Sequence, residues 1–108
     1  MPEIVPLRGR VYMADIGNGP KPWVIVSNND RNRKLNTAYA VRVTTTSKPK
    51  IDSIVELDSA EPLVGRVLCD DMVQLYRDEL KSDVGAMSPA TMVRVNKALA
   101  YALGLSTP

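Results

Sequence analysis

The hydrophobic periodicity of this 108-residue chain changes once, at Ser88. Before that position, apolar residues form short alternating or continuous runs, which are typical of β-strands. Ser88 is a good N-cap, Pro89 fits the first helical position and Gly104 is a typical helix stop. The sequence therefore predicts short strands followed by one C-terminal amphipathic helix. The apolar stripe of that helix comprises Met92, Val95, Leu99, Ala102 and Leu103.

The clearest predicted strand spans residues 37–46, where Val41 and Val43 share one face with Tyr39, and Arg42 and Thr44 lie on the other. Short strands are also expected at residues 10–16, 22–27, 54–57, 65–72 and 81–87, with the core-facing side of the first one open. Residues 17–20 are expected to form a tight turn, residues 28–36 a polar loop or single helical turn, and residues 73–80 are ambiguous. Together these elements suggest a mainly β protein, a small and strongly bent barrel with the helix packed on one side.

The amino-acid inventory excludes several kinds of active site. The chain contains no histidine and one cysteine, Cys69, so the Cys and His sets that usually bind zinc cannot be assembled. Ser-His-Asp and Cys-His catalysis are excluded for the same reason. Any acid–base chemistry at neutral pH must therefore use carboxylates, Lys, Tyr, hydroxyls or the charge of Arg. The net charge of +2 permits a nucleic-acid partner without requiring one.

Length and hydropathy suggest one cytoplasmic domain over residues 1–108. A chain of this length usually holds a single core. No apolar run approaches the ~20 residues needed to span a bilayer, and residues 1–10 lack the apolar core of a secretory signal. We therefore expect no membrane association.

A lysine is held between two prolines at the start of a predicted strand, in "GPKPWVIVSN", residues 19–28. Pro20 and Pro22 each fix their own φ near −65°. Each also biases the residue before it toward extended conformations, so Lys21 has little backbone freedom. Lys21 could simply be a solvated turn lysine, but such restraint would also suit a cation that binds a ligand in one fixed position.

Segments along nearly the whole chain resemble the MazF/PemK (Kid) toxin family. Residues 8–17, "RGRVYMADIG", resemble its "RGDVYWVDLG" opening, and residues 21–30, "KPWVIVSNND", resemble "RPVLVVSND". Residues 41–46, "VRVTTT", are similar to its third strand, which ends in Thr or Ser. Residues 65–80, "GRVLCDDMVQLYRDEL", are similar to "SVVLCDQLRTVDKSRL", and residues 87–105 to "LSPELMEEVDEALRLSLGL".

The resemblance implies an SH3-like barrel of the MazF/CcdB type that forms a homodimer. It implies the toxin of a toxin–antitoxin pair, which cleaves single-stranded RNA without a metal or other cofactor. Attack by the ribose 2′-OH would leave a 2′,3′-cyclic phosphate and a 5′-hydroxyl, so no protein nucleophile is needed. The cognate antitoxin would inhibit the enzyme through an acidic C-terminal segment.

The resemblance also assigns candidate site residues. Lys21 occupies the position of the family's catalytic arginine, although a lysine cannot make the bidentate contact of a guanidinium with a phosphate. Thr44 occupies the position of the catalytic hydroxyl, with Thr45 as the alternative one residue on. Strand alternation places Arg42 on the same face as Thr44, where it could compensate for the weaker phosphate contact of Lys21.

Three further residues match positions of the family's RNA-contacting surface. Asn28 could read a base edge through its amide, or could simply be a turn residue. Asp70 matches the acidic residue of the family's "CDQ" element, and Asp71 replaces its Gln. Both are expected at the edge of the site, and Cys69 is expected to be a small core residue.

Two alternatives remain open beside the endoribonuclease. One is a poison of DNA gyrase like CcdB, which is not a nuclease; CcdB ends in Trp-Gly-Ile, whereas residues 103–105 here are Leu-Gly-Leu. The other is a catalytically weak relative that only binds RNA or antitoxin. The short turn at residues 17–20 also departs from the longer, mobile loop that many family members carry there.

Overall fold

The structure, a computed structural model, describes residues 3–105. It contains six strands and two α-helices: β1 (Arg10–Asp15), β2 (Pro20–Ile25), α1 (Asn29–Lys34), β3 (Thr37–Thr44), β4 (Ile54–Glu56), β5 (Arg66–Tyr76), β6 (Leu80–Ala86) and α2 (Pro89–Leu103). A single 3₁₀ turn over Arg77–Glu79 joins β5 to β6. The predicted fold class, mainly β with a C-terminal amphipathic helix, is confirmed.

The strands form one antiparallel sheet in the order β4-β5-β3-β2-β1-β6. β1 and β2 form a hairpin whose short turn contains Gly17 and Gly19, both at positive φ. β6, the last strand in the sequence, pairs with β1, the first, so the sheet curls. It is a bent, barrel-like sheet in which β4 and β6 are the edge strands.

β5 bends sharply near its middle, and the bend divides the sheet. Val41 of β3 pairs with Met72, whereas the next residue, Arg42, pairs with Leu68. Residues 69–71 are therefore extra on the β5 side, which is a large bulge. Beyond the bulge, β5 pairs with β4 only over residues 66–68.

Both faces of the sheet are buried, each in its own apolar cluster. One cluster packs against α2 and comprises Val11, Val24, Val41, Val43, Val55, Val67, Cys69, Met87, Met92, Val95 and Ala98. The other comprises Tyr12, Ala14, Trp23, Ile25, Ala38, Ala40, Leu75 and Leu80. The open question about β1 is thus resolved, because neighbouring residues of β1 contribute to opposite clusters.

The helix α2 begins and ends as the sequence predicts. The Ser88 hydroxyl accepts a hydrogen bond from the Thr91 amide (3.1 Å), and Gly104 ends the helix at φ 68°. Met92 and Val95 of the predicted stripe are buried, together with Thr91 and Ala98. The extension of the stripe to Leu103 is wrong, because that side chain is 56% exposed.

The strand predictions differ from the structure mainly around β5. The ambiguous residues 73–80 continue β5 as far as Tyr76 and then form the 3₁₀ turn. The polar segment 28–36 contains the short helix α1, which agrees with the predicted single helical turn. No helix within residues 3–105 combines the length and hydropathy that a membrane span requires.

Candidate active site

A groove of about 330 Å³ opens at the end of the sheet where β2 begins and β3 ends. Its lining brings together Lys21 from β2 with Arg42, Thr44 and Thr45 from β3 and the residues after it. Among the described residues that line it, two are cationic and none is acidic. The remaining lining residues are Pro22, Val43, Thr46, Leu63 and Val64. The groove therefore has the charge and the donors expected for a phosphate ligand.

The β1–β2 hairpin holds Lys21 at the mouth of the groove. Lys21 pairs with Ala14 of β1, and Pro20 and Pro22 on either side of it lie within β2. The turn is fixed locally, because the Asp15 carboxylate accepts a hydrogen bond from the Gly17 amide (2.9 Å). If the β2–β3 register of Trp23 with Arg42 is extended by two residues, Lys21 faces Thr44.

Arg42 packs beside Trp23 on the same face of the sheet. Its guanidinium carbon lies 5.9 Å from the centroid of the Trp23 ring, and the two residues are directly paired between β3 and β2. Trp23 is 3% exposed and belongs to an apolar core cluster, so its indole is not an accessible stacking surface. The Arg42 Nε is buried without a hydrogen-bond partner among residues 3–105. Such an unpaired buried donor has a free-energy cost, which the Nε of Arg77 and the indole nitrogen of Trp23 share among the described residues.

The hydroxyl of Thr44 is held by the turn that follows β3. Its Oγ1 accepts a hydrogen bond from the Thr46 amide (3.2 Å), a local side-chain-to-backbone turn. A hydroxyl that accepts one bond retains its own proton for donation. The neighbouring Thr45 is exposed and lines the groove, so either hydroxyl lies at this surface.

Asn28 lies at the other end of β2, outside this groove. Its side-chain oxygen accepts hydrogen bonds from the amides of Asp30 (2.7 Å) and Arg31 (3.3 Å), and so it caps the N-terminus of α1. This is the role of the turn residue that the sequence allowed. The amide nitrogen of the exposed side chain is still free to donate, so an RNA contact there stays a prediction.

Asp70 and Asp71 lie in the β5 bulge and do not line the groove. Both are exposed, and the Asp70 carboxylate accepts a hydrogen bond from the Ser53 hydroxyl. The adjacent Cys69 is 1% exposed in the α2-facing cluster. Burial, aided by the Asp70 carboxylate, raises the pKa of its thiol to about 12. Cys69 is the small core residue that the sequence indicates, and it is unsuited to act as a thiolate nucleophile.

The described part of the chain offers no cluster of three or more acidic or cysteine side chains that could hold a metal ion.

Several residues of the site escape sequence reasoning. Leu63 and Val64 reach the groove from the β4–β5 loop, and Val64 is 74% exposed. Gly65 and Arg66 support the turn after Thr44 from behind. The only signal in the sequence was the Gly-Arg pair that opens the "GRVLCDD" segment, since its partners are some 20 residues away along the chain.

Comparison with known families identifies one match that spans most of the chain. The model of a family described as the PemK-like, MazF-like toxin of type II toxin–antitoxin systems matches residues 7–103. This range includes every residue of the groove.

Individual relatives are similar over nearly their whole length. The chain is 50% identical to Endoribonuclease MazF1 of Mycobacterium bovis and to Endoribonuclease MazF4 of Mycobacterium tuberculosis. Each alignment covers 95% of this chain and 97% of the relative. A solved mycobacterial endoribonuclease in complex with its cognate antitoxin superposes with a TM-score of 0.91 at 50% identity, covering 95% of this chain and 99% of that one.

Proposed function

Because the chain belongs to the PemK-like, MazF-like toxin family of type II toxin–antitoxin systems, we propose that it is a sequence-specific endoribonuclease that cleaves single-stranded RNA. One observation carries the proposal: Lys21, Arg42 and Thr44 converge in one groove whose described lining has no carboxylate. An anionic phosphodiester is the substrate that such a groove would favour. Relatives that are 50% identical to this chain are named endoribonucleases.

The proposed reaction uses the RNA's own nucleophile. The ribose 2′-oxygen attacks the adjacent phosphorus, and the bond from phosphorus to the 5′-oxygen breaks. The 2′-hydroxyl loses a proton and the departing 5′-oxygen gains one, which leaves a 2′,3′-cyclic phosphate and a 5′-hydroxyl. Since no water or metal-bound hydroxide is consumed, the protein needs only to orient the phosphodiester, move protons and stabilise charge. We therefore propose a metal-independent reaction.

The three groove residues take separate roles in this proposal. Lys21 presents an ammonium group, with three N–H donors, to the phosphate oxygens and can supply a proton to the leaving group. Thr44 donates its hydroxyl to a non-bridging oxygen, where charge grows in the transition state. Arg42, which lines the groove with Lys21, neutralises the charge of the phosphate.

The other predicted RNA contacts would extend the path beyond the groove. Thr45 adjoins the reacting phosphate, Asp70 and Asp71 would border the RNA at the β5 bend, and Asn28 would meet a base near α1. Few aromatic side chains are available for stacking, because the chain has no Phe and Trp23 is buried. We propose that a second copy of the chain completes the RNA surface, and hence that the working enzyme is a homodimer.

We further propose control by a cognate antitoxin in the cytoplasm, with residues 1–108 acting as one toxin domain. A relative of 50% identity has been solved with its cognate antitoxin. An acidic antitoxin segment would compete with RNA for the cationic groove. Overlap of the two ligands at Lys21 and Arg42 would account for inhibition.

The proposal is tested by incubating the purified protein with a long single-stranded RNA in the presence of EDTA and mapping the ends. We expect discrete cuts that leave 5′-hydroxyl ends at one recurring sequence. The variant Lys21→Ala should lose the activity, because the groove then lacks one of the two cations in its described lining. The matched control is Lys81→Ala, which removes an exposed lysine from β6.

Two results would contradict the proposal. Cuts that appear only with divalent metal would exclude the metal-independent route. The absence of cutting by the intact dimer, with RNA still bound, would favour the catalytically weak relative. A gyrase poison would instead leave RNA uncut and unbound.

A further inference from the structure

Arg66 stands where the groove, β3 and β4 meet. It is the first residue of β5, and it is paired with Thr44 of β3 on one side and with Glu56 of β4 on the other. Its side chain is 17% exposed. Apart from its place at the start of the "GRVLCDD" segment, no sequence pattern marks it, because its contacts join segments that lie far apart in the chain.

The guanidinium of Arg66 makes four hydrogen bonds along two of its edges. Its Nε and one terminal nitrogen donate to the two carboxylate oxygens of Glu56 (2.9 and 3.1 Å). The other terminal nitrogen donates to the backbone carbonyls of Thr45 (2.9 Å) and Thr46 (2.7 Å). Only a planar, forked donor can satisfy both sets at once, which a lysine ammonium cannot do.

Glu56 is itself held in place from behind. Its backbone carbonyl accepts a hydrogen bond from Arg94 of α2 (2.7 Å). The hydrogen bonds from Arg66 lower the pKa of the Glu56 carboxyl and so favour its charged form. The carboxylate therefore fixes the plane and rotation of the Arg66 guanidinium.

Arg66 binds the same turn that holds the hydroxyl of Thr44. The Thr46 amide donates to the Thr44 hydroxyl oxygen (3.2 Å), and the Thr45 and Thr46 carbonyls face Arg66. Gly65 closes the turn from the other side, because a Cβ on it would overlap the Thr44 carbonyl. Movement of this turn would therefore turn the Thr44 hydroxyl away from its present direction.

We propose that Glu56 and Arg66 form a positioning pair that fixes the Thr44–Thr46 turn and thereby directs the Thr44 hydroxyl at the scissile phosphate. The inference rests on the proposed function. Arg66 acts through Thr44 and does not itself hold the substrate. An isolated surface ion pair would have little effect on any property of the protein, and the difference here is that the guanidinium also binds two backbone carbonyls.

The first test compares cleavage by Arg66→Met and Glu56→Gln with the wild type under single-turnover conditions. Displacement of a catalytic group by about 1 Å can cost up to ~100-fold in rate, so we expect the maximal rate to fall about 10- to 100-fold in both variants. The RNA concentration at half-maximal rate should change much less. Arg66→Lys should not restore the rate, since an ammonium cannot make both sets of contacts.

Glu56→Gln separates positioning from charge. That substitution makes the protein more positive, so a purely electrostatic role of Arg66 in RNA binding predicts equal or faster cleavage. Positioning predicts slower cleavage. The matched control is Arg10→Met, which removes the cation of the exposed Arg10–Asp83 pair (3.1 Å) on β1 and β6. Wild-type rates in Arg66→Met or Glu56→Gln would overturn the inference.

A double-mutant cycle with Thr44→Ala identifies the route of the effect. If Arg66 acts through Thr44, Arg66→Met should cause little further loss in the Thr44→Ala background. An undiminished loss there would overturn the inference.

Hydrogen exchange keeps the test independent of the proposed function. The Thr46 amide should exchange faster in Arg66→Met than in Arg10→Met, because the turn that protects it is released. Wild-type protein that cuts no RNA would refute the proposed function, and the Thr46 exchange would then decide the inference alone. Unchanged exchange at Thr46 overturns it.

Discussion

Lys21 is restrained by its sequence neighbours, is placed in the groove by the fold, and has a central role in the proposed chemistry. Two prolines restrict its backbone, β-pairing with Ala14 sets its direction, and the groove places it near Arg42 and Thr44. Where the family carries arginine, this chain has a compact, strongly hydrated charge. Under the proposed function, the guanidinium of Arg42 would supply the planar donor set that Lys21 lacks. The two cations together would then do the work of one arginine.

Substitution at Lys21 should depend on charge more than on shape. We expect Lys21→Arg to cleave RNA within about tenfold of the wild-type rate, whereas Lys21→Met, of similar length but neutral, should lose about 10²- to 10³-fold. Initial rates on one mapped RNA site give the comparison. Strong cleavage by Lys21→Arg beside an inactive wild type would instead identify a toxin silenced by this single replacement.

At the scale of elements, the groove depends on the loops between strands as much as on the strands. The turn after β3 holds the hydroxyl of Thr44, the last residue of that strand. The β4–β5 loop ends at Gly65, whose φ of +114° only glycine readily adopts. The Thr44 backbone packs directly against Gly65 and leaves no room for a side chain. The end of β3 and the start of β5 are therefore fitted to each other.

Gly65→Ala should destabilise the protein more than a glycine replacement that only strains the backbone. Gly17 is the matched control, because its φ is +122° and nothing lies within 4 Å of the added Cβ. We expect Gly17→Ala to cost about 1–3 kcal/mol in the free energy of unfolding. Gly65→Ala should cost at least ~1 kcal/mol more from the overlap with Thr44. Urea denaturation measures both, and equal costs would show that the β3 turn yields easily.

For the whole molecule, two buried ionisable groups connect stability to pH. Burial raises the pKa of the Cys69 thiol to about 12, from the 9.0 that is usual for an exposed thiol. Burial likewise raises the pKa of the Tyr12 phenol, in the cluster on the opposite face of the sheet. Both groups are neutral in the folded state at pH values where the unfolded chain begins to ionise them. Each cluster therefore favours the protonated form.

Stability should fall as the pH rises above about 9. The contribution of Cys69 is fully present below its unfolded pKa of 9.0 and is lost as the pH approaches the folded value of about 12. Urea unfolding at about pH 8 and about pH 10.5 measures the change, and Cys69→Ala should show a shallower fall. A free energy of unfolding that stays constant or rises over this interval would contradict the burial of both groups.

The sequence by itself determined the local elements of this protein. The strand alternation of residues 37–44, the β1–β2 turn and the caps of α2 all depend on residues within one turn or one strand, so they could be predicted. Lys21 and Thr44 were found through the family resemblance, and strand alternation added Arg42, which shares a face with Thr44. Their assembly into one groove was beyond local reasoning.

Tertiary structure alone decided the rest, for a physical reason. The residues that support Thr44 come from other strands: Arg66 lies on β5, and Glu56 on β4. The extension of β5 to Tyr76 and the burial of both faces of β1 likewise depend on which strands become neighbours. Periodicity shows which face of a strand is buried, but it does not show which distant segment becomes its neighbour. Only the folded sheet therefore shows which side chain holds which turn.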